Sequence, residues 1–456
     1  MPRPIANPYL AITMVGLGTL IVPLDSSVNI AFPDITRSFA IPIDAIQWVV
    51  ICYVLTYSSL MLVFGKLGDL FGHRRIFRIG LLVSAVAFVL CGIATEFGWL
   101  LFFRFCQGLG AALVISCSPA LATACFPETQ RAKALGVYTA LFGLGSVIGP
   151  SLGGLMVEAW GWPAVFWFRA PLSLVALIAT YLLPNPAQDR TRRPFDLVGA
   201  ALLAVALSAL LLAINQAQGA RSGYGLSAAL AVVSLVCFAG FAFQESRFVE
   251  PIIRLRVFRD LDFTILNLAN FVVNLVGFSV MLLVPYYLSR VVGYPTWLGG
   301  FVLGCAPLGV AIAGPVGGWL IDRFDAGRVA FAGAVLLVAG LFAISLWQDA
   351  SAMGTLIFGL MLHGLGLGQF YVAYMHIVTG TLARDDRGVA GSLAMVTRSA
   401  GIVTGAAVLS GLYAGAVAPD VGFLPAFQTV FHYAALALAL FVAATLLRPR
   451  IWFGAR

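Results

Sequence analysis

Long apolar stretches alternate with short polar turns from one end of the chain to the other. Fourteen such stretches are read, at 10–32, 46–64, 77–95, 98–122, 134–157, 163–183, 196–214, 226–243, 263–288, 297–319, 329–347, 354–380, 389–415 and 425–447. Each is close to the roughly 20 residues an α-helix needs to cross the hydrocarbon core of a bilayer. The pattern therefore predicts an all-α integral membrane protein with fourteen transmembrane helices. Composition agrees: 61% of residues are hydrophobic and only 10% charged, whereas soluble domains carry about a quarter charged residues. The remaining residues form short loops and tails, too few for a large soluble domain.

The net charge of +8 would suggest nucleic acid or anionic partners in a soluble protein. Its placement points instead to topology. With the amino terminus inside, 21 of the 27 Lys and Arg fall in cytoplasmic segments such as Lys66 to Arg78, Arg190 to Arg193 and Arg247 to Arg259. The external segments hold Arg37, Arg221 and Arg290, while Arg104, Arg169 and Arg398 lie within spans or at their ends. Both termini are expected to be cytoplasmic. The first span has only Arg3 before it and no small-residue cleavage site, so it reads as an uncleaved signal anchor. All seven cysteines lie in or at the ends of apolar spans without C-x-x-C spacing, as small packing residues would.

One turn pattern occurs twice. Gly65-Lys66-Leu67-Gly68-Asp69-Leu70-Phe71-Gly72-His73-Arg74-Arg75 returns as Gly318-Trp319-Leu320-Ile321-Asp322-Arg323-Phe324-Asp325-Ala326-Gly327-Arg328, the second copy read with one extra residue before Gly327. Glycine allows a sharp turn and close helix ends, and an Asp beside basic residues can join helix termini. A plain basic turn obeying the positive-inside bias is the alternative for either copy alone. If the copies mark equivalent hinges, residues 1–183 form one six-helix bundle and residues 263–456 a second with a short tail. Residues 184–262 are then a linker carrying two extra spans. Within it, Pro251 to Arg259 alternates aliphatic residues with Arg and is expected on the membrane surface.

Few polar residues interrupt the spans. Asp25 is the only acid well inside one, where an ionised carboxylate costs about 2.5–3.5 kcal/mol on insertion scales. Such a group carries protons, or is a structural acid held by an Arg. Arg104 on the fourth span lies at a similar depth and could face it. Gly145, Gly149 and Gly153 recur every four residues beside Pro150 and Gly154, which makes a smooth helix face with a bend. Asn267, Asn270 and Asn274 form one polar stripe on the ninth span, facing a cavity or another helix. Asn29, Tyr53, Tyr57, Gln107, Gln369, Tyr371, Tyr374 and Arg398 could add polar and aromatic surface to such a cavity, with packing and interfacial belts as the alternative. His363 and His376 read as helix contacts rather than metal ligands.

These strings together resemble the fourteen-span drug:proton antiporter branch of the major facilitator superfamily, of EmrB/QacA type, over essentially the whole chain. The repeated turn is similar to the superfamily's signature loop, and the Gly-Pro string to a motif typical of its antiporters. The Asp25 string resembles the branch's first-span motif, and Arg104 with Gln107, Gly108 and Gly110 its fourth-span motif. The resemblance implies proton-coupling roles for Asp25 and Arg104, and a gating role for Gly65, Gly68, Asp69, Gly72, Arg74, Arg75, Asp322 and Arg323. It also implies an antiporter role for Gly145, Gly149, Pro150, Gly153 and Gly154. Arg169 departs from the pattern: the branch usually has a small polar residue, often Asn, there. Snorkelling to the outer surface and gating the substrate path are both open for it.

The function expected is proton-driven export of lipophilic or amphipathic small molecules by alternating access in a bacterial inner membrane. The partners are substrate, protons and lipid, without nucleic acid or cofactor; a periplasmic adaptor is not readable from the sequence. Uptake or export of one metabolite is the alternative within transport. A membrane enzyme or sensor finds no H-E-x-x-H, G-x-x-x-x-G-K-[ST] or G-x-G-x-x-G string to support it. Because acid is scarce in the spans, neutral, monocationic or anionic compounds are expected to be preferred over dications. If the extra pair of spans forms a transmembrane hairpin, single cysteines placed at Arg190 and Arg221 will react with an impermeant thiol reagent from opposite faces. Labelling of both from one face refutes that layout.

Overall fold

The computed structural model describes residues 8–124, 126, 131–181, 196–218, 224–248, 260–381, 387–416 and 422–454. The loops holding Arg190, Arg193, Arg221 and Pro251 to Arg259, together with Cys125, lie outside the described residues. The first half contains α1 (Pro8–Leu20), α2 (Gln47–Phe71), α3 (His73–Gly92), α4 (Phe97–Ala124), α5 (Arg131–Trp160) and α6 (Arg169–Ala179). A helical pair follows, α7 (Leu197–Gln218) and α8 (Tyr224–Arg247). The second half contains α9 (Leu261–Tyr286), α10 (Thr296–Phe324), α11 (Ala326–Ser345), α12 (Met353–Thr381), α13 (Arg387–Ala416) and α14 (Phe423–Thr445).

Twelve helices among the described residues are long and apolar enough to cross a membrane, so the expected count of fourteen is not supported in full. The stretches expected at 163–183 and 196–214 account for the difference. The first gives a shorter apolar helix over Ala164–Ala179, with the charge of Arg169 in its middle and a break at Phe168. In α7 the apolar helix counts over Leu197–Leu210 among the described residues. The membrane setting explains the surface of α8, only 11% of whose apolar window is buried against 67% for α9. Leu235, Val236 and Val232 stand outward there, an apolar face that lipid covers.

The first membrane span is not one continuous helix. It stops after Leu20, continues as a single 3₁₀ turn at Pro23–Ser26, and restarts at Ser27–Ile30 and Phe32–Ser38. Proline lacks an amide hydrogen and fits only the first turn of a helix, so Pro23 sets this break. The glycine face of α5 docks on it. A β-carbon at Gly145 would lie 2.8 Å from the Pro23 ring, one at Gly149 would collide with the Ser26 hydroxyl, and one at Gly153 would lie 2.6 Å from Ser27. Only hydrogen fits at these positions, and Ser26 Oγ donates to the Ser146 carbonyl across the contact at 3.3 Å.

Next to that face, Gly154 and Pro150 meet Gly300 on α10, where the halves of the chain touch backbone to backbone. At the same end Glu158 accepts the Thr296 amide at the start of α10 (2.9 Å), the Thr36 and Tyr286 hydroxyls pair at 2.9 Å, and Ser410 donates to Gln47 at 2.6 Å. These bonds seal the halves at the end that the charge pattern places outside. Both α2 and α13 also receive α7, which covers the seam between them.

The two hinges correspond residue for residue, without the extra residue expected in the second. The α2–α3 junction is Gly72 at φ +94°, and the α10–α11 junction is Asp325 at φ +84°. Asp69 and Asp322 each stand three residues before that junction. Asp is among the few non-glycine residues that adopt positive φ readily, and Asp325 uses its side chain to cap the Gly327 amide.

The α5–α10 contact yields a paired prediction. A β-carbon on Gly300 would come within 2.3 Å of the Pro150 carbonyl oxygen, whereas one on Gly299 would make ordinary contacts, the tip of Ile30 at 3.4 Å and Leu288 at 3.8 Å. Gly300→Val is expected to force the halves apart and abolish transport with membrane insertion retained, while Gly299→Ala transports normally. Equal flux in the two variants, measured in vesicles, contradicts the contact.

Candidate functional site

The break at Pro23 carries Asp25, and two arginines converge on its carboxylate. From α4, Arg104 grips it with both arms of its guanidinium, Nη1 donating to Oδ1 at 2.6 Å and Nη2 to Oδ2 at 2.8 Å. Arg169, at the start of α6, donates from Nη1 to Oδ1 at 2.7 Å. Gln107, one turn beyond Arg104, donates to the same Oδ1 at 2.9 Å and accepts from Arg104 Nη1 at 2.7 Å. Each arginine also donates its Nε to a backbone carbonyl, Arg104 to Val49 and Arg169 to Val165, both at 2.8 Å. The forks are thus fixed from behind before they reach the acid. Aromatic faces complete the shell: Arg104 lies 4.4 Å from the Tyr53 ring centre, and Arg169 lies 4.6 Å from that of Phe88.

The two guanidiniums are essentially fully buried, and the carboxylate is 13% exposed. Two positive charges against one negative leave a surplus of one. Arg169 Nη2 has no hydrogen-bond partner among the described residues. A buried ion pair is tolerable only when geometry and hydrogen bonding offset desolvation, which the Arg104 fork achieves and the Arg169 contact achieves in part. Arg169 therefore neither snorkels outward nor sits apart. The clue in the sequence was a second basic residue inside a span, but its distance of 144 residues from Asp25 concealed the pairing.

The structure places the other candidates as follows. The Asn stripe of α9 is buried: Asn267 accepts from the Tyr374 hydroxyl at 2.8 Å, Asn270 donates to Thr397 at 2.8 Å, and Asn274 donates to the Asn270 carbonyl at 2.8 Å. Its amides bind helix to helix. Gln369 is likewise buried, whereas Asn29, Tyr57, Tyr371 and Arg398 are half-buried. Tyr53 meets Tyr57 edge to face at 5.2 Å, and Arg398 lies 5.5 Å from the Tyr371 ring centre. In the first hinge Asp69 pairs with His73 one turn on, at 3.2 Å, and is largely exposed. Arg74 donates to the Thr180 and Tyr181 carbonyls at the end of α6, tying that hinge to its own half. Arg75, Asp322 and Arg323 are exposed. His363 Nε2 lies 3.2 Å from the Gly277 carbonyl, a contact between α12 and α9.

A cavity of about 480 Å³ opens elsewhere, beside Asp260, Asp262, Asp325 and His376 at the ends of α9, α11 and α12. Its acids have local tasks. Asp260 caps α9, Asp325 caps α11, and Asp262 pairs with Arg448 at 3.5 Å.

An all-helical fold of long apolar spans, with a broken, charge-bearing first span and two matching hinges, is that of a membrane transporter. The chain matches the Major Facilitator Superfamily over residues 15–406 and 266–451, and it belongs to that family. It is a multi-pass membrane transporter and not an enzyme. Among its relatives, Multidrug resistance protein Stp of Mycobacterium tuberculosis is 32% identical over 89% of this chain and 76% of its own. Riboflavin transporter RibZ of Clostridioides difficile is 29% identical over 89% of this chain and 88% of its own. Tetracenomycin C resistance and export protein of Streptomyces glaucescens is 32% identical over 91% and 78%. A solved proton dependent oligopeptide transporter superposes with a TM-score of 0.71 over 98% of this chain and 99% of its own at 18% identity, a likeness of fold.

The surplus charge makes the three-residue cluster asymmetric. Asp25→Asn strands two buried guanidiniums and is expected to destabilise the purified protein by about 3–5 kcal/mol, the range for breaking a buried pair. Arg169→Gln removes the surplus charge and is expected to change stability by about 1 kcal/mol or less, the net value of a typical hydrogen bond. Thermal unfolding in detergent ranks the two, and the reverse order refutes this account of the charges.

Proposed function

We propose that this chain is a proton-coupled antiporter that exports amphipathic small molecules, with Asp25 as the proton carrier and Arg104 and Arg169 as its alternating counter-ions. The observation that carries this reading is the position of Asp25: the sole acid well inside a span, at the break of that span, held by two arginines against the glycine face of α5. A proton arriving on Asp25 removes the charge that holds both guanidiniums, and the freed arginines then repel one another. Because the same break packs on Gly145, Gly149 and Gly153, and Gly154 packs on α10, a shift at Asp25 reaches the outer seal through adjoining helix faces. Loss of the seal would turn the cavity outward, and return of the carboxylate would close it again.

The hinge residues fit this cycle as gates. With the outer end sealed, Asp69 is exposed and bonded across its own hinge to His73, available to the opposite half when the inner end closes. The fourteen-span layout belongs to the same proposal, with α6 and α7 completing the crossings, both termini cytoplasmic and the inner membrane as location. The proton gradient is the energy source and no cofactor is required. Relatives named for multidrug resistance support export of varied compounds. The likeness to a riboflavin transporter supports a second reading, movement of a single aromatic metabolite.

Purified protein in proteoliposomes decides between coupled and uncoupled transport. Efflux of an amphipathic dye is expected to follow an imposed proton gradient and to collapse with an uncoupler. Asp25→Asn, assayed on the fraction that elutes as a monodisperse peak, is expected to lose gradient-driven efflux by at least about tenfold, the scale of a general acid–base role, while retaining dye exchange at equal pH. Wild-type gradient dependence in that variant removes Asp25 from the mechanism.

A further inference from the structure

A second arginine site lies where the halves of the chain meet. Helices α2 and α13 run antiparallel, and the Ser410–Gln47 bond at 2.6 Å fixes their register. Ten residues along α2 from Gln47, about 15 Å at helical rise, stands Tyr57. Twelve residues back along α13 from Ser410 stands Arg398, so the two come level near the middle of both helices. Arg398 is near enough to Tyr57 to act on its hydroxyl electrostatically. The third member is Tyr371 of α12, whose ring centre lies 5.5 Å from the Arg398 guanidinium. All three side chains are half-buried, neither sealed in a core nor turned to open solvent.

The surroundings of Arg398 differ from those of Arg104 and Arg169. Among the described residues no carboxylate lies within ion-pairing distance of it, and its donors meet no acceptor. An arginine midway through a membrane span normally faces an acid, a backbone carbonyl or a water-filled route. Here its neighbours are two tyrosines. The charge of the wider region is also positive, because Asp25 already faces Arg104 and Arg169 and compensates only one of them. The tyrosines offer flat faces to an aromatic ring and hydroxyls to an oxygen, and they continue through the Tyr53–Tyr57 contact towards the proton site.

We propose that Arg398, with Tyr57 and Tyr371, forms a substrate subsite for amphipathic organic anions, compounds that carry a carboxylate on an aromatic framework. The guanidinium takes the carboxylate through paired N–H donors, and the tyrosine rings take the aromatic body. This rests on the transport reading above and narrows it: an anionic aromatic compound is preferred over its uncharged counterpart, and a dication is disfavoured. Helix α7 packs on both α2 and α13 along this seam.

The test uses the full chain in phosphatidylcholine nanodiscs, with 1-pyrenebutyrate and its uncharged carboxamide as probes. Binding is read by equilibrium dialysis against empty nanodiscs. Wild type is expected to bind the carboxylate about tenfold or more tighter than the amide, the ratio for one charged hydrogen-bonded contact. Arg398→Gln is expected to erase that ratio, and Arg398→Lys, which keeps the charge without the fork, to keep part of it. Equal affinity of the two probes in wild type overturns the proposal even if Arg398→Gln does not fold, and so does a carboxylate preference that survives Arg398→Gln. No proton gradient is imposed, so failure of proton coupling leaves the binding ratio untouched. Loss of the ratio, conversely, leaves gradient-driven efflux of uncharged dyes intact.

Discussion

The carboxylate of Asp25 is the one negative charge that holds two buried guanidiniums in the interior of the first half. Three elements far apart in sequence meet there: the broken first span, α4 and α6. Removing the acid would leave two like charges a few ångströms apart in a medium that screens them poorly. Keeping it means that the packing of α4 and α6 follows the charge state of one side chain. In the proposed cycle that dependence is what lets the arrival of one proton move helices.

Close contacts lead from the charge towards the opposite half of the chain. The break at Pro23 packs on the face of α5 through hydrogen-sized contacts and the Ser26–Ser146 bond. One residue further along that face, Gly154 reaches Gly300 of the opposite half, and Glu158 caps the first amide of α10. Charge site, glycine face and outer seal therefore form one contiguous set of contacts. Arg74 meanwhile ties the first hinge to the end of α6, which begins with Arg169. The same short helix thus touches both the charge cluster and the first hinge.

Polar residues in the spans divide into two kinds. The Asn stripe of α9, with Tyr374 and Thr397, is buried and satisfied, gluing α9 to α12 and α13 as hydrogen bonds between membrane helices do. Arg398 is half-buried and meets aromatic faces only. A satisfied group contributes to architecture, whereas an open, half-buried donor is available to a ligand. That division moves the candidate substrate surface away from the Asn residues and towards the seam between α2 and α13.

Much of the architecture was already legible in the chain. Helical spans depend on local apolar runs about 20 residues long, and hinges on glycine and acidic residues at fixed offsets, so both are visible without tertiary knowledge. The isolation of Asp25, the match with Arg104 and the smooth glycine face were likewise local. The count of fourteen crossings is not supported in full, and at α6 the charge of Arg169 and the break at Phe168 interrupt the apolar run that composition alone had suggested. The second hinge was read one residue too long, because sequence comparison sought a glycine where Asp325 makes the same positive-φ turn. Only the tertiary structure could decide the partners. Arg169 reaches Asp25 across 144 residues, the Asn stripe faces helices rather than a cavity, and Arg398 comes level with Tyr57 from the other half of the chain. Spacing within a helix fixes which face a side chain occupies, but what that face meets is set by how helices distant in sequence pack, and the energy of a buried charge depends on that meeting.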